Sequence, residues 1–127
     1  MMSTDNCICR GGQKLIFACS GAADVGAITD QAARKMTKEG IGKMFCLAGI
    51  GGRVSGIMKT AASADKILAL DGCPLNCVKN SLELAGFKEF IHLQLADLGL
   101  EKGNSPATEE NVGAVVNKGK ELVSGNS

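Results

Sequence analysis

The sequence predicts an α/β fold, a four-stranded parallel sheet with helices on both faces, on three observations. Four short apolar runs punctuate the 127 residues. Stretches with apolar residues at helical spacing follow them. Glycine-bearing turns separate the two kinds of segment. Strands alternating with helices in this way read as right-handed crossovers between parallel strands.

Residues 1 to 13 are polar and Gly-containing, and are expected to form a flexible arm that carries Cys7 and Cys9. The single α/β domain is expected over 14–123. Its first strand is Lys14 to Cys19, a continuous apolar run, turned by Ser20-Gly21-Ala22-Ala23. A helix from Asp24 to Glu39 follows, with Val25, Ile28, Ala32 and Met36 on one face and Gly40 as its stop.

Lys43 to Leu47 is the second strand, and Ala48-Gly49-Ile50-Gly51-Gly52 a glycine-rich turn. The next helix, Arg53 to Ser63, places Val54, Ile57, Met58, Ala61 and Ala62 in an apolar stripe. The third strand, Lys66 to Leu70, is apolar throughout, as befits burial on both faces. Asp71-Gly72 turns the chain. Pro74 suits the first position of a helix running to Ala85, which puts Cys73 at the N-cap and Cys77 one turn on.

The fourth strand, Phe90 to Leu95, alternates Phe90, His92 and Gln94 with Ile91, Leu93 and Leu95, the pattern of an edge strand. A last helix is predicted from Thr108 to Leu122, and residues 124 to 127 as a disordered tail. The whole is a Rossmann-like or flavodoxin-like three-layer sandwich.

Composition excludes several functions. Trp and Tyr are absent and there are four Phe, so stacking platforms for single-stranded nucleic acid are lacking. A net charge of +1 builds no field toward a polyanion or membrane surface. No apolar run approaches membrane-spanning length, and the first residues lack the basic and apolar regions of a signal peptide. The expected location is the cytoplasm, where six cysteines are more often ligands or reactive thiols than disulfides.

Cys19, Cys46 and Cys73 are each 27 residues apart, the length of one strand–helix unit. Parallel strands point the same way, so the three thiols arrive at one edge of the sheet. If the first strand lies between the second and third, they converge at the switch point where such sheets bind ligands. Strands are spaced about 4.8 Å apart, and sulfurs on one tetrahedral zinc roughly 3.8 Å. Loops can close that difference. Cys77 supplies a fourth sulfur, giving a four-cysteine site. Helix N-termini, with Arg53 and Lys79, are expected to favour thiolates there. His92 stands mid-strand and is set apart from the ligands. Cys7 and Cys9 read equally as spectators or as extra ligands.

Phe17 to Gly26, Cys46 to Arg53 and Asp71-Gly72-Cys73-Pro74-Leu75-Asn76-Cys77 together resemble the motifs of the DGC-domain family, bacterial proteins proposed to bind zinc. The resemblance runs from Lys14 to Leu98. It implies that Cys19, Cys46, Cys73 and Cys77 hold one zinc ion, and it implies no particular reaction.

Rival motifs fall short. A Cys-x5-Arg anion loop is missed, since six residues separate Cys46 from Arg53. Gly49-Ile50-Gly51-Gly52 lacks the third glycine of a dinucleotide fingerprint, Val54 standing in its place. A thiol-dependent redox enzyme is the alternative on the same cysteines, although a Cys73–Cys77 bridge within one helix would be strained. An iron–sulfur cluster is the alternative cofactor. The expectation is therefore a small cytoplasmic zinc protein with no nucleic-acid or membrane partner, whose protein or small-molecule partner the residues do not name.

Overall fold

A computed structural model describes residues 13–125. The expected arm with Cys7 and Cys9, and residues 126–127 of the expected tail, lie outside the described residues. Four strands, β1 (Lys14–Ala18), β2 (Lys43–Met44), β3 (Lys66–Asp71) and β4 (Ile91–Gln94), pair in parallel in the order β2-β1-β3-β4. The first strand is thus central beside β3, and β4 is an edge strand.

The helices are α1 (Asp24–Lys38), α2 (Leu47–Gly51), α3 (Ser55–Ala62), α4 (Cys77–Leu84) and α5 (Glu109–Ser124). Alternation along the strands divides the core in two. Ile16, Ala18, Leu68, Leu70 and Leu93 face α1 and α5, meeting Ile28, Met36 and Val115. Leu15, Phe17, Ile67 and Ala69 face the other way, onto Ile50 of α2, Ala61 of α3 and Val78 and Leu82 of α4. Helices therefore cover both faces. β3 is buried from Ile67 to Asp71, which explains its unbroken apolar sequence.

Three helices begin or end where expected because their punctuation is local. Gly40 takes φ 78° after α1 and Gly86 φ 98° after α4, the left-handed conformation that stops a helix. Thr108 caps α5, its side chain accepting from the Asn111 N–H at 3.1 Å.

Elsewhere the boundaries are corrected. β2 ends at Met44, because the chain turns at Cys46 into the short α2 rather than passing through a bare glycine turn. Gly49 is required within it, since a Cβ there would overlap the Ile57 side chain. Arg53 adopts φ 57° and Val54 is extended, so α3 starts at Ser55 and Val54 is exposed instead of joining the apolar stripe. Asn76 adopts φ 53°, so α4 starts at Cys77, not Pro74. Cys73 is consequently no N-cap, and Leu75 faces solvent. β4 gives way at Leu95 to a 3-10 turn, and α5 reaches Ser124, one residue into the expected tail. Among the described residues no helix is long and apolar enough to cross a membrane.

Candidate metal centre

The four strands end on one rim, and the predicted thiols stand on the first three segments that leave it. Cys19 directly follows β1, its N–H donating to Leu70 O of β3 at 3.2 Å, so its backbone is tied to the neighbouring strand. Cys46 is the N-cap of α2 and exposed; Cys73 lies half-buried two residues beyond β3; Cys77 opens α4 and is exposed. All four are free thiols.

The surroundings of Cys19 are specific. Its Sγ lies 3.2 Å from Thr29 Oγ1, a hydroxyl buried completely in α1. Thr29 donates its single proton to Gly26 O at 2.9 Å and accepts from the Ser20 N–H at 3.3 Å. The Thr29 oxygen therefore serves as acceptor for the Cys19 thiol. Cys19 and Cys46 together line an open pocket of about 490 Å³, with Phe45, Leu47 and Ser81 in its wall.

The Asp71–Cys77 segment is held from several sides. Asp71, at 1% exposure, accepts at Oδ1 from the Val78 N–H at 2.8 Å and at Oδ2 from the Lys79 N–H at 3.0 Å. It thereby satisfies the first turn of α4 from the end of β3, and its charge faces the positive end of the helix. Its Oδ2 also lies 2.8 Å from His92 Nε2. Gly72 is tight against α1, where a Cβ would come within 2.8 Å of Val25 Cβ and carbonyl oxygen. The Asp-Gly pair is thus a packing joint between β3, α1 and α4 as well as a turn.

Three non-glycine residues among those described take left-handed backbone, namely Ser20, Arg53 and Asn76. Each sits on a thiol-bearing loop, next to Cys19, closing the Cys46 turn, and next to Cys77. Strain of this kind gathers at functional sites.

Two electrostatic expectations are corrected. The Cys77 thiol is pushed up, not down, first by loss of water around the sulfur and then by negative charge on Cys73, Asp71 and Cys19. Helix α4's N-terminus does not reverse this, because Asp71 already occupies it. Arg53 directs its hydrogen bonds to backbone carbonyls and none to a thiol. Its guanidinium donates to Ile50 O at 2.8 Å, Gly51 O at 3.2 Å and Leu84 O at 3.0 Å, riveting α2 to α4.

The residues fit a soft metal ion in donor type. Four thiols stand on segments that leave one rim of the sheet. Among the described residues, no three His, Cys, Asp or Glu side chains stand close enough together to clasp an ion. Closure would require the loop side chains to draw inward.

Thr29 and Gln94 bond the thiol-bearing segments without any local pattern that announces it, while Asp71, expected as a turn residue, and His92, expected mid-strand apart from the ligands, are paired with each other. The polar face of β4, an edge strand as its alternation predicts, meets Asp71 and the Cys73 loop.

Comparison with known proteins adds two findings. A family model described as DGC domain matches residues 15–118. The chain is also 40% identical over 88 residues to the Anaerobic and virulence modulator AnvM of Pseudomonas aeruginosa, over 69% of this chain and 67% of that protein. No solved structure matches the chain significantly.

Proposed function

The chain belongs to the DGC-domain family, and on that premise we propose that it is a cytoplasmic metal-binding protein holding one zinc ion through Cys19, Cys46, Cys73 and Cys77. The observation that carries this is the parallel sheet, which sends Cys19, Cys46 and Cys73 out just beyond the ends of β1, β2 and β3 and starts α4 at Cys77 on the same rim. Cys46 lines a pocket together with Cys19, whose wall includes neither Cys73 nor Cys77.

Cys19, Cys46, Cys73 and Cys77 would hold the ion, which would supply cohesion between the strand ends. The chain's own residues prepare for it. Asp71 anchors the first turn of α4, and Gly72 lets the Cys73 turn pack against α1. The relative's name describes a modulator, and a regulatory role toward an unidentified protein or small-molecule partner is the corresponding reading for this chain.

A second reading, thiol redox chemistry, draws on a specific observation. Cys73 precedes α4 in a turn closed by the Asn76 N–H on Cys73 O at 3.2 Å, so the helical geometry that argued against a Cys73–Cys77 bridge does not apply.

Elemental analysis of protein purified anaerobically without added metal separates these. About one zinc per chain, lost in Cys73→Ser with the fold retained by circular dichroism, is the expected result. Metal-free wild type that cycles between dithiol and disulfide would favour the redox reading. Stoichiometric iron with broad visible absorption would replace zinc by a cluster.

A further inference from the structure

Resting on the zinc reading, we infer that Gln94 is a positioning residue for the metal centre, setting the backbone of the Cys73–Cys77 loop from the edge strand. The register of the sheet places Gln94 directly opposite Asp71, where that loop begins. Its Nε2 donates to Cys73 O at 3.0 Å and to Asn76 Oδ1 at 2.7 Å, while its Oε1 accepts from the Ala96 N–H at 3.3 Å. Both donor contacts thus fall on the loop, one on the first thiol-bearing residue and one on the residue before the second.

The loop needs such support. Residues 72–76 belong to no strand or helix, yet Asn76 is held at φ 53°, which L-residues seldom adopt unaided. Asn80 adds a bond from Nδ2 to Leu75 O at 2.9 Å, and Asp71 secures the far end through Val78 and Lys79. Of these side-chain supports, Gln94 grips the backbone of a proposed ligand, on the same Cys73 O that accepts from the Asn76 N–H within the loop. A five-residue loop free to rotate would spread the two sulfurs over many separations; one pinned at Cys73 and Asn76 presents them at one. Partners of this kind, outside the ligands themselves, tune metal affinity through orientation.

Gln94 is half-buried and outside both core clusters, so its removal should leave the fold intact. The test measures zinc affinity by competition with a chromophoric chelator, together with the cobalt-substituted spectrum, on full-length protein whose fold is verified by circular dichroism. In Gln94→Ala, zinc affinity should fall about 10- to 100-fold with a weakened thiolate-to-cobalt band. Asn76→Gly keeps the left-handed backbone while deleting the Oδ1 acceptor, and should lower affinity less. The double variant should be no weaker than Gln94→Ala alone. Lys118→Ala, distant on α5, should match wild type.

Wild-type affinity and spectrum in both Gln94→Ala and Asn76→Gly would overturn the inference and leave the zinc reading standing. Wild type that binds neither zinc nor cobalt would overturn both. Should Gln94→Ala fail to fold, Gln94→Glu, which keeps the size but removes the donor to both Cys73 O and Asn76 Oδ1, takes its place, and wild-type affinity in that variant would refute the positioning role.

Discussion

His92 Nε2 lies 2.8 Å from Asp71 Oδ2, joining the edge strand to a carboxylate that also accepts two N–H groups from the first turn of α4. One buried side chain thereby ties β3, β4 and α4 together beside the candidate metal centre. Removing it leaves three donors without their acceptor. Asp71→Ala should cost about 2–4 kcal/mol in urea unfolding. Asp71→Asn should cost less, since its amide oxygen still accepts from α4. Equal stability of Asp71→Ala and wild type would show that the cap contributes nothing.

Gly72 and Gly113 make a contrasting pair. A methyl at Gly72 would press on Val25 Cβ and carbonyl oxygen at 2.8 Å, whereas at Gly113, inside α5, it would meet nothing within 4 Å. Gly72→Ala should lower stability by about 1–3 kcal/mol through overpacking. Gly113→Ala should raise it by about 0.5–1 kcal/mol through helix propensity. Thermal melts of the two variants beside wild type give both signs.

Asp24 predicts an acid-sensitive strap. Its carboxylate accepts from the N–H groups of Gly103 and Ser105 across 79 and 81 residues, and these bonds hold its pKa below the usual aspartate range. A depressed folded pKa contributes stability above the unfolded carboxyl's value, about 3.9. That contribution is lost as pH falls through the lower folded value. Hydrogen exchange at Gly103 and Ser105 should accelerate, beyond its intrinsic pH dependence, below about pH 4. In Asp24→Asn the protection should be weak already at pH 7 and insensitive to that titration.

Arg53 combines a strained backbone with three useful bonds, so two substitutions separate the effects. Arg53→Ala loses the bonds to Ile50, Gly51 and Leu84 and keeps φ 57°. Arg53→Gly loses the same bonds but takes that φ freely. The glycine variant should be the more stable by about 1 kcal/mol in denaturant titration. A more stable alanine variant would mean that the backbone is not strained there.

Much of this protein is written locally. The apolar runs at Lys14, Lys43, Lys66 and Phe90, the stripe of α1 and the stops at Gly40 and Gly86 report the strands and helices through side-chain period and backbone permission, both of which act within a few residues. The equal spacing of Cys19, Cys46 and Cys73, joined to parallel topology, already places three thiols on one rim. Boundaries were harder to read at Arg53 and Asn76. Nothing in composition announces that these two residues turn left-handed, because that choice is imposed by what the following helix packs against.

The sequence by itself determined the α/β class, the direction of the strands and the common edge of the cysteines, because alternation and periodicity need no knowledge of distant residues. Only the tertiary structure decided that Asp71 caps α4, that Gln94 holds the Cys73 loop, and that Thr29 of α1 meets Cys19. Such contacts depend on sheet register and helix placement, and hydrogen bonds of about 3 Å between residues far apart in the chain exist only after the whole core has set them.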